Sequence, residues 1–180
     1  MYAKINNDLF MPDYLKLKTI QLNPERHFAA NAFEHCEMVA GEVADLARLN
    51  ICTAEETDAL ILLAKLHDIG KITGTANAEA SLELLARYGQ FDAEFSDLVK
   101  YHDINLPWFI AMQKGQPPSI KAWSKLARKV NLRMLCIFMT ADRVDCPGGW
   151  QTNAALTWFL HECQSRGLLA EPLKFVPVPP

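Results

Sequence analysis

The dipeptide His67-Asp68, followed by Ile69-Gly70-Lys71, sets an imidazole beside a carboxylate at the end of an apolar helical segment. Neighbouring residues on a helix point about 100° apart. A long imidazole and a short carboxylate still converge on an ion lying between those directions. His35 falls on an inward stripe with Ala32 and Val39. Asp142 follows Phe138 by four residues and Met134 by eight, so it continues the inward face of its own segment. A carboxylate on a core-facing stripe is costly unless something pairs with it, and a divalent cation is one such partner. Two imidazoles and two carboxylates form a mixed nitrogen and oxygen set that suits Mn, Fe, Ni, Co or Zn, whereas an all-oxygen set suits Mg better. Each residue also has a plain reading: His35 as a packed core histidine, Asp142 as the ion-pair partner of Arg143.

The elements that must bring these residues together are helical. Periodicity of about 3.6 residues predicts helices over 28–49, 53–70, 78–88, 93–101, 119–142 and 152–166. Thr53-Ala54-Glu55-Glu56 reads as a capping box, and Gly70 and Gly89 as stops. No segment alternates as a strand would. The fold class is therefore all-α, a compact bundle of about six helices over residues 25–170. Residues 1–24 read as a loosely ordered entry segment, and residues 171–180 as an extended proline-rich tail.

Composition narrows the function. The 180 residues are 50% apolar and 22% charged, with a net charge of −3, which excludes a disordered chain, a collagen-like chain and a globally basic nucleic-acid coat. The longest apolar stretches fall short of the roughly 18–20 residues a membrane span needs, and the first residues carry no apolar leader. Five cysteines without a CxxC spacing point to reduced thiols in a cytoplasmic protein. Between residues 104 and 141 there is no acid, while Lys114, Lys121, Lys125, Arg128, Lys129 and Arg133 supply six positive charges. On one continuous helix, Lys121, Lys125 and Lys129 share a face that would contact a polynucleotide backbone; a solvated helix face is the plainer alternative. Trp108, Phe109 and Trp150 are candidates for stacking on a base or for packing in the core. Arg26 is a candidate anion contact, and His27 reads as structural or surface.

Glu34-His35-Cys36, Leu66-His67-Asp68-Ile69-Gly70-Lys71, Tyr101-His102-Asp103 and Ala141-Asp142-Arg143 together resemble the HD superfamily of metal-dependent phosphohydrolases, over residues 26–145. Lys71 in the HDxGK string is similar to HD-GYP phosphodiesterases and to the HD domains of tRNA nucleotidyltransferases, without the GYP signature. The resemblance implies an all-α fold and one divalent ion (Mn, Ni, Co, Fe, Zn or Mg) held by His35, His67, Asp68 and Asp142. It implies a nucleotide or nucleic-acid phosphoester as substrate, attacked by a metal-activated water. Asp68 would orient that water, Lys71 and Arg143 would contact phosphate oxygens, and His102 would hold the substrate or protonate the leaving oxygen. Where two-metal members carry a further histidine, this chain has Asn77, so a single metal is expected. The alternatives are a non-catalytic module of the same fold that binds nucleic acid or a partner protein, and a structural bundle whose histidines and aspartates pair with one another.

Overall fold

The computed structural model describes residues 3–75 and 77–175. Among these, nine α-helices and three short 3-10 turns surround one apolar core. The all-α expectation holds, with strand confined to a short antiparallel pair, β1 (Ala3–Ile5) and β2 (Gly89–Phe91), and one isolated bridge. The helix count exceeds six because two helices carry no readable period and one predicted helix is two.

The core is organised on α8 (Leu132–Ala141), in which every residue except Arg133 is buried. A helix apolar on all sides has no solvent face to offer and belongs in the middle of a bundle. Helix α2 (Ala32–Leu49) packs on α3 (Ala54–Leu66) and on α8, burying Cys36, Val39, Val43 and Leu46 on one stripe. The side chain of Asn31 caps α2 by accepting from the Glu34 amide, so the helix starts at Ala32, and Phe28 is 70% exposed rather than helical. The capping box at Thr53 and Glu56 opens α3 as expected. Helices α4 (Ala78–Tyr88), α5 (Ala93–Tyr101) and α9 (Ala154–Ser165) match their predicted spans within two residues at either end.

Three expectations change. The segment over 119–142 divides into α7 (Ile120–Ala127) and α8, because Asn131 takes an extended backbone and accepts from the amides of Arg133 and Met134. Lys129 therefore lies beyond α7, 3.7 Å from Asp97, and the three-lysine face reduces to exposed Lys121 and Lys125. The entry segment is ordered. Helix α1 (Asn7–Lys16) buries Phe10 and Tyr14, and Tyr88 donates to the Asp13 carboxylate at 2.8 Å. Helix α6 (Asn105–Gln113) lies against α9, where Trp108 stands 6.2 Å from Phe159, and Trp108 also meets Trp123 of α7 at 4.7 Å. At the other end, Lys174 donates its amide to Asn50 and Leu173 is buried; residues 176–180 of the predicted tail lie outside the described residues. No helix among the described residues is long and apolar enough to cross a membrane.

Gly70 is not the stop of α3. It sits in a 3-10 turn, Ile69–Thr73, and Gly74, with φ of 83°, ends that turn in the left-handed region. What Gly70 permits is close approach. A Cβ there would lie 2.6 Å from the Ser81 amide nitrogen and 2.9 Å from Ala80 Cβ, at the start of α4. Ser81 Oγ accepts from the Gly70 amide and donates to the His67 carbonyl, fastening the turn that carries Asp68 and Lys71 to α4. Gly70→Ala should push the two elements apart at a cost of about 1–3 kcal/mol. Thermal unfolding followed by circular dichroism should show a midpoint several degrees lower; an unchanged midpoint would mean that α4 yields freely.

Candidate metal centre

Four residues expected to meet do meet, and each stands at or near a helix end. His35 lies in the first turn of α2, His67 at the C-cap of α3 with Asp68 following, and Asp142 at the C-cap of α8. His35 Nε2 and His67 Nε2 are each 3.1 Å from Asp142 Oδ1. Asp68 Oδ2 is 3.4 Å from His67 Nε2 and 3.9 Å from His35 Nε2. His67 Nδ1 donates to the Ala64 carbonyl at 2.9 Å, an acceptor only, so Nε2 is the nitrogen presented to the carboxylates. That nitrogen is buried and makes no hydrogen bond of acceptable geometry. His102 is built the same way: Nδ1 donates to the Val99 carbonyl at 2.7 Å, and the ring stands 5.3 Å from that of His67. Phe138 of α8 contacts both rings, at 5.2 and 6.1 Å between centroids.

The electrostatics are those of crowded opposite charges. Burial alone would lower the His35 pKa, but the Asp142 and Asp145 carboxylates outweigh it and raise the pKa to about 9. His67 is likewise lifted against its burial, by Asp68 and Asp142, to about 10. Burial opposes ionisation of Asp142, yet the adjacent Arg143 and the two histidines hold it well below the usual carboxylate range. Lys71 is paired with Asp68, and Arg143 with Asp142 and, at 2.7 Å, with Asp103. Both predicted phosphate contacts thus lie at the site, engaged by its own carboxylates.

These side chains line a cavity of about 500 Å³ together with Glu25, Arg26, Cys146 and Asn153. Arg26 and His27 therefore belong to the site wall. The aromatic candidates do not line it: Trp108 packs on Trp123, Phe109 on Trp158, and Trp150 on Phe175. Asn77 caps α4 by accepting from the Ala80 amide. Missing from the sequence reading is Asp145, fully buried, with Oδ2 3.0 Å from His27 Nδ1 and 3.1 Å from His35 Nδ1.

The donor set suits a divalent ion. His35, His67 and Asp68 offer ligand atoms close enough for one ion, Asp142 Oδ1 lies 3.1 Å from both imidazole Nε2 atoms, and a second such group is His27, His35 and Asp145. The family model of the HD domain matches residues 32–145, from the first residue of α2 to Asp145. The chain belongs to the HD-domain family. Comparison with curated proteins and with solved structures returned no match. HD domains are generally metal-dependent hydrolases of phosphoesters, and in this HD domain the matched span contains all four converging donors.

Proposed function

We propose that this HD domain hydrolyses a nucleotide or nucleic-acid phosphoester, using one divalent ion held by His35, His67, Asp68 and Asp142. The observation that carries the reading is the convergence of His35 Nε2 and His67 Nε2 on Asp142 Oδ1, 3.1 Å from each, with Asp68 Oδ2 3.4 Å from His67, opening on a polar cavity. A cavity of about 500 Å³ lies within the range that holds small-molecule ligands. A bound ion supplies Lewis acidity toward a phosphoryl oxygen and lowers the pKa of water. Asp68 has 16% of its side chain exposed against 4% for Asp142, so it is the carboxylate open to the cavity and orients the attacking water. Lys71 and Arg143 hold phosphate oxygens in place. His102 faces the leaving oxygen through Nε2, because its Nδ1–H is donated to Val99, and in the imidazolium form Nε2 carries the proton that the leaving oxygen takes up. The bond from phosphorus to the leaving oxygen breaks as the bond to the water oxygen forms.

The test is a panel of cyclic nucleotides, nucleoside mono- and triphosphates and phosphorylated oligonucleotides, each with Mn, Ni, Co, Zn and Mg. Turnover should require metal and vanish in the His67→Ala/Asp68→Ala double variant. A second reading, a nucleic-acid-binding module, draws on exposed Lys121 and Lys125 of α7 within the acid-free stretch. Salt-dependent polynucleotide binding without turnover would favour it.

Metal uptake should also release protons. With pKa values raised to about 9 and 10, His35 and His67 both carry a proton at pH 7 when no ion is bound. Ligation needs both neutral, so about two protons leave per ion, and apparent affinity falls about 100-fold per pH unit as pH drops below 9. Calorimetry in buffers of different ionisation enthalpy measures this directly; zero release would mean that both histidines are already neutral before the ion binds.

A further inference from the structure

Asp145 has no part in the reaction above, yet its carboxyl is among the most deeply buried polar groups of the protein. A carboxylate in that position is expensive unless partnered. One oxygen faces two imidazole nitrogens: Oδ2 is hydrogen-bonded to His27 Nδ1 at 3.0 Å and lies 3.1 Å from His35 Nδ1, a buried nitrogen that makes no hydrogen bond of acceptable geometry elsewhere. The His35 ring therefore stands between two carboxylates, Asp145 at its Nδ1 edge and Asp142 3.1 Å from Nε2 at the other. The backbone fixes this arrangement from the far side, because the Asp145 carbonyl accepts from the Phe28 amide at 2.8 Å. That bond ties the turn after α8 to the loop that carries His27. The His27 ring stands edge-on to that of His35, 5.4 Å away.

A neutral imidazole whose Nδ1–H is donated has its lone pair on Nε2. We propose that Asp145 is the positioning residue of the centre: it accepts the His35 Nδ1–H, so that Nε2 is offered to the ion, and is itself held in place by His27. This rests on the reading of His35 as a metal ligand. His67 and His102 each donate Nδ1–H to the carbonyl three residues before them; His35, four residues after the N-cap of α2, makes no such bond, and the Asp145 carboxylate stands at its Nδ1 instead. Loss of an outer carboxylate of this kind weakens metal affinity about 10–100-fold.

Two measurements test it. In protein with ¹⁵N-labelled histidine loaded with Zn²⁺, long-range proton–nitrogen spectra should show His35 ligating through Nε2 with a proton on Nδ1, the signals assigned by their absence in His35→Gln. Ligation through Nδ1 would place the ion among His27, His35 and Asp145 and overturn the proposal. In competition with a chelator, folded Asp145→Asn should bind Zn²⁺ about 10–100-fold more weakly than wild type, at unchanged stoichiometry. Equal affinity overturns the positioning role alone. Wild-type protein that takes up no Zn²⁺ overturns the metal reading itself. The spectrum of the wild-type protein decides the matter even where Asp145→Asn does not fold.

Discussion

Asp68→Ala is expected to abolish turnover while leaving the helical fold in place. Asp68 is the half-buried member of the centre, beside His67 and His35 and paired with Lys71. Its removal takes away an ion ligand and the group that orients water. An ion's contribution to phosphoryl chemistry is several kcal/mol, and each 1.36 kcal/mol is tenfold in rate. A fall of at least about 10³-fold follows, with metal retention weakened in parallel and the far-ultraviolet circular dichroism nearly unchanged. Asp142 is a poorer first target. It meets both histidines and Arg143 in full burial, and removing one partner of a buried charged cluster costs about 3–5 kcal/mol of stability. Normal turnover in folded Asp68→Ala would remove this residue from the site.

Phe138→Ala should lower stability as much as removal of Asp142. The ring is fully buried at the centre of α8 and touches His67 and His102 from below. Deleting it leaves a cavity, at a cost of about 3–5 kcal/mol, equivalent to a midpoint lower by on the order of 10 °C for a domain of this size. The void lies under two site histidines, so activity should fall further than the unfolded fraction accounts for. Denaturant titration and turnover on one preparation would separate the two effects. Phe138→Leu, which keeps most of the volume, should recover most of the stability. A loss below about 1 kcal/mol in Phe138→Ala would mean that the core closes over the gap.

The ligand set is legible in the sequence because His35, His67 and Asp142 each continue an apolar helical stripe, where a polar residue needs a reason. Asp145 escapes that logic. It lies past the C-cap of α8, where helical register no longer says which way a side chain points. Helix α6 is hidden because Leu106, Pro107, Trp108, Phe109, Ile110 and Met112 leave no polar face to mark a period. Helix α1 is hidden for another reason: its apolar residues fall on both faces, Phe10 and Tyr14 buried but Leu9, Met11 and Leu15 exposed, with Pro12 inside. The apolar period runs unbroken from α7 into α8, so only the cap geometry of Asn131 reveals the division. The pairing of Lys71 with Asp68 is equally silent, whereas that of Arg143 with its neighbour Asp142 is open as the plain reading of adjacent opposite charges.

His35 and Asp142 touch across 107 residues of chain, and His27 and Asp145 across 118. Contacts of that range require the intervening loop to be closed first, and they form late when a chain folds. No site exists until α8 has docked against α2 and α3. A nascent or half-folded chain therefore holds scattered histidines and aspartates but no assembled centre. The centre is acquired in one late step, together with the core that makes the protein durable.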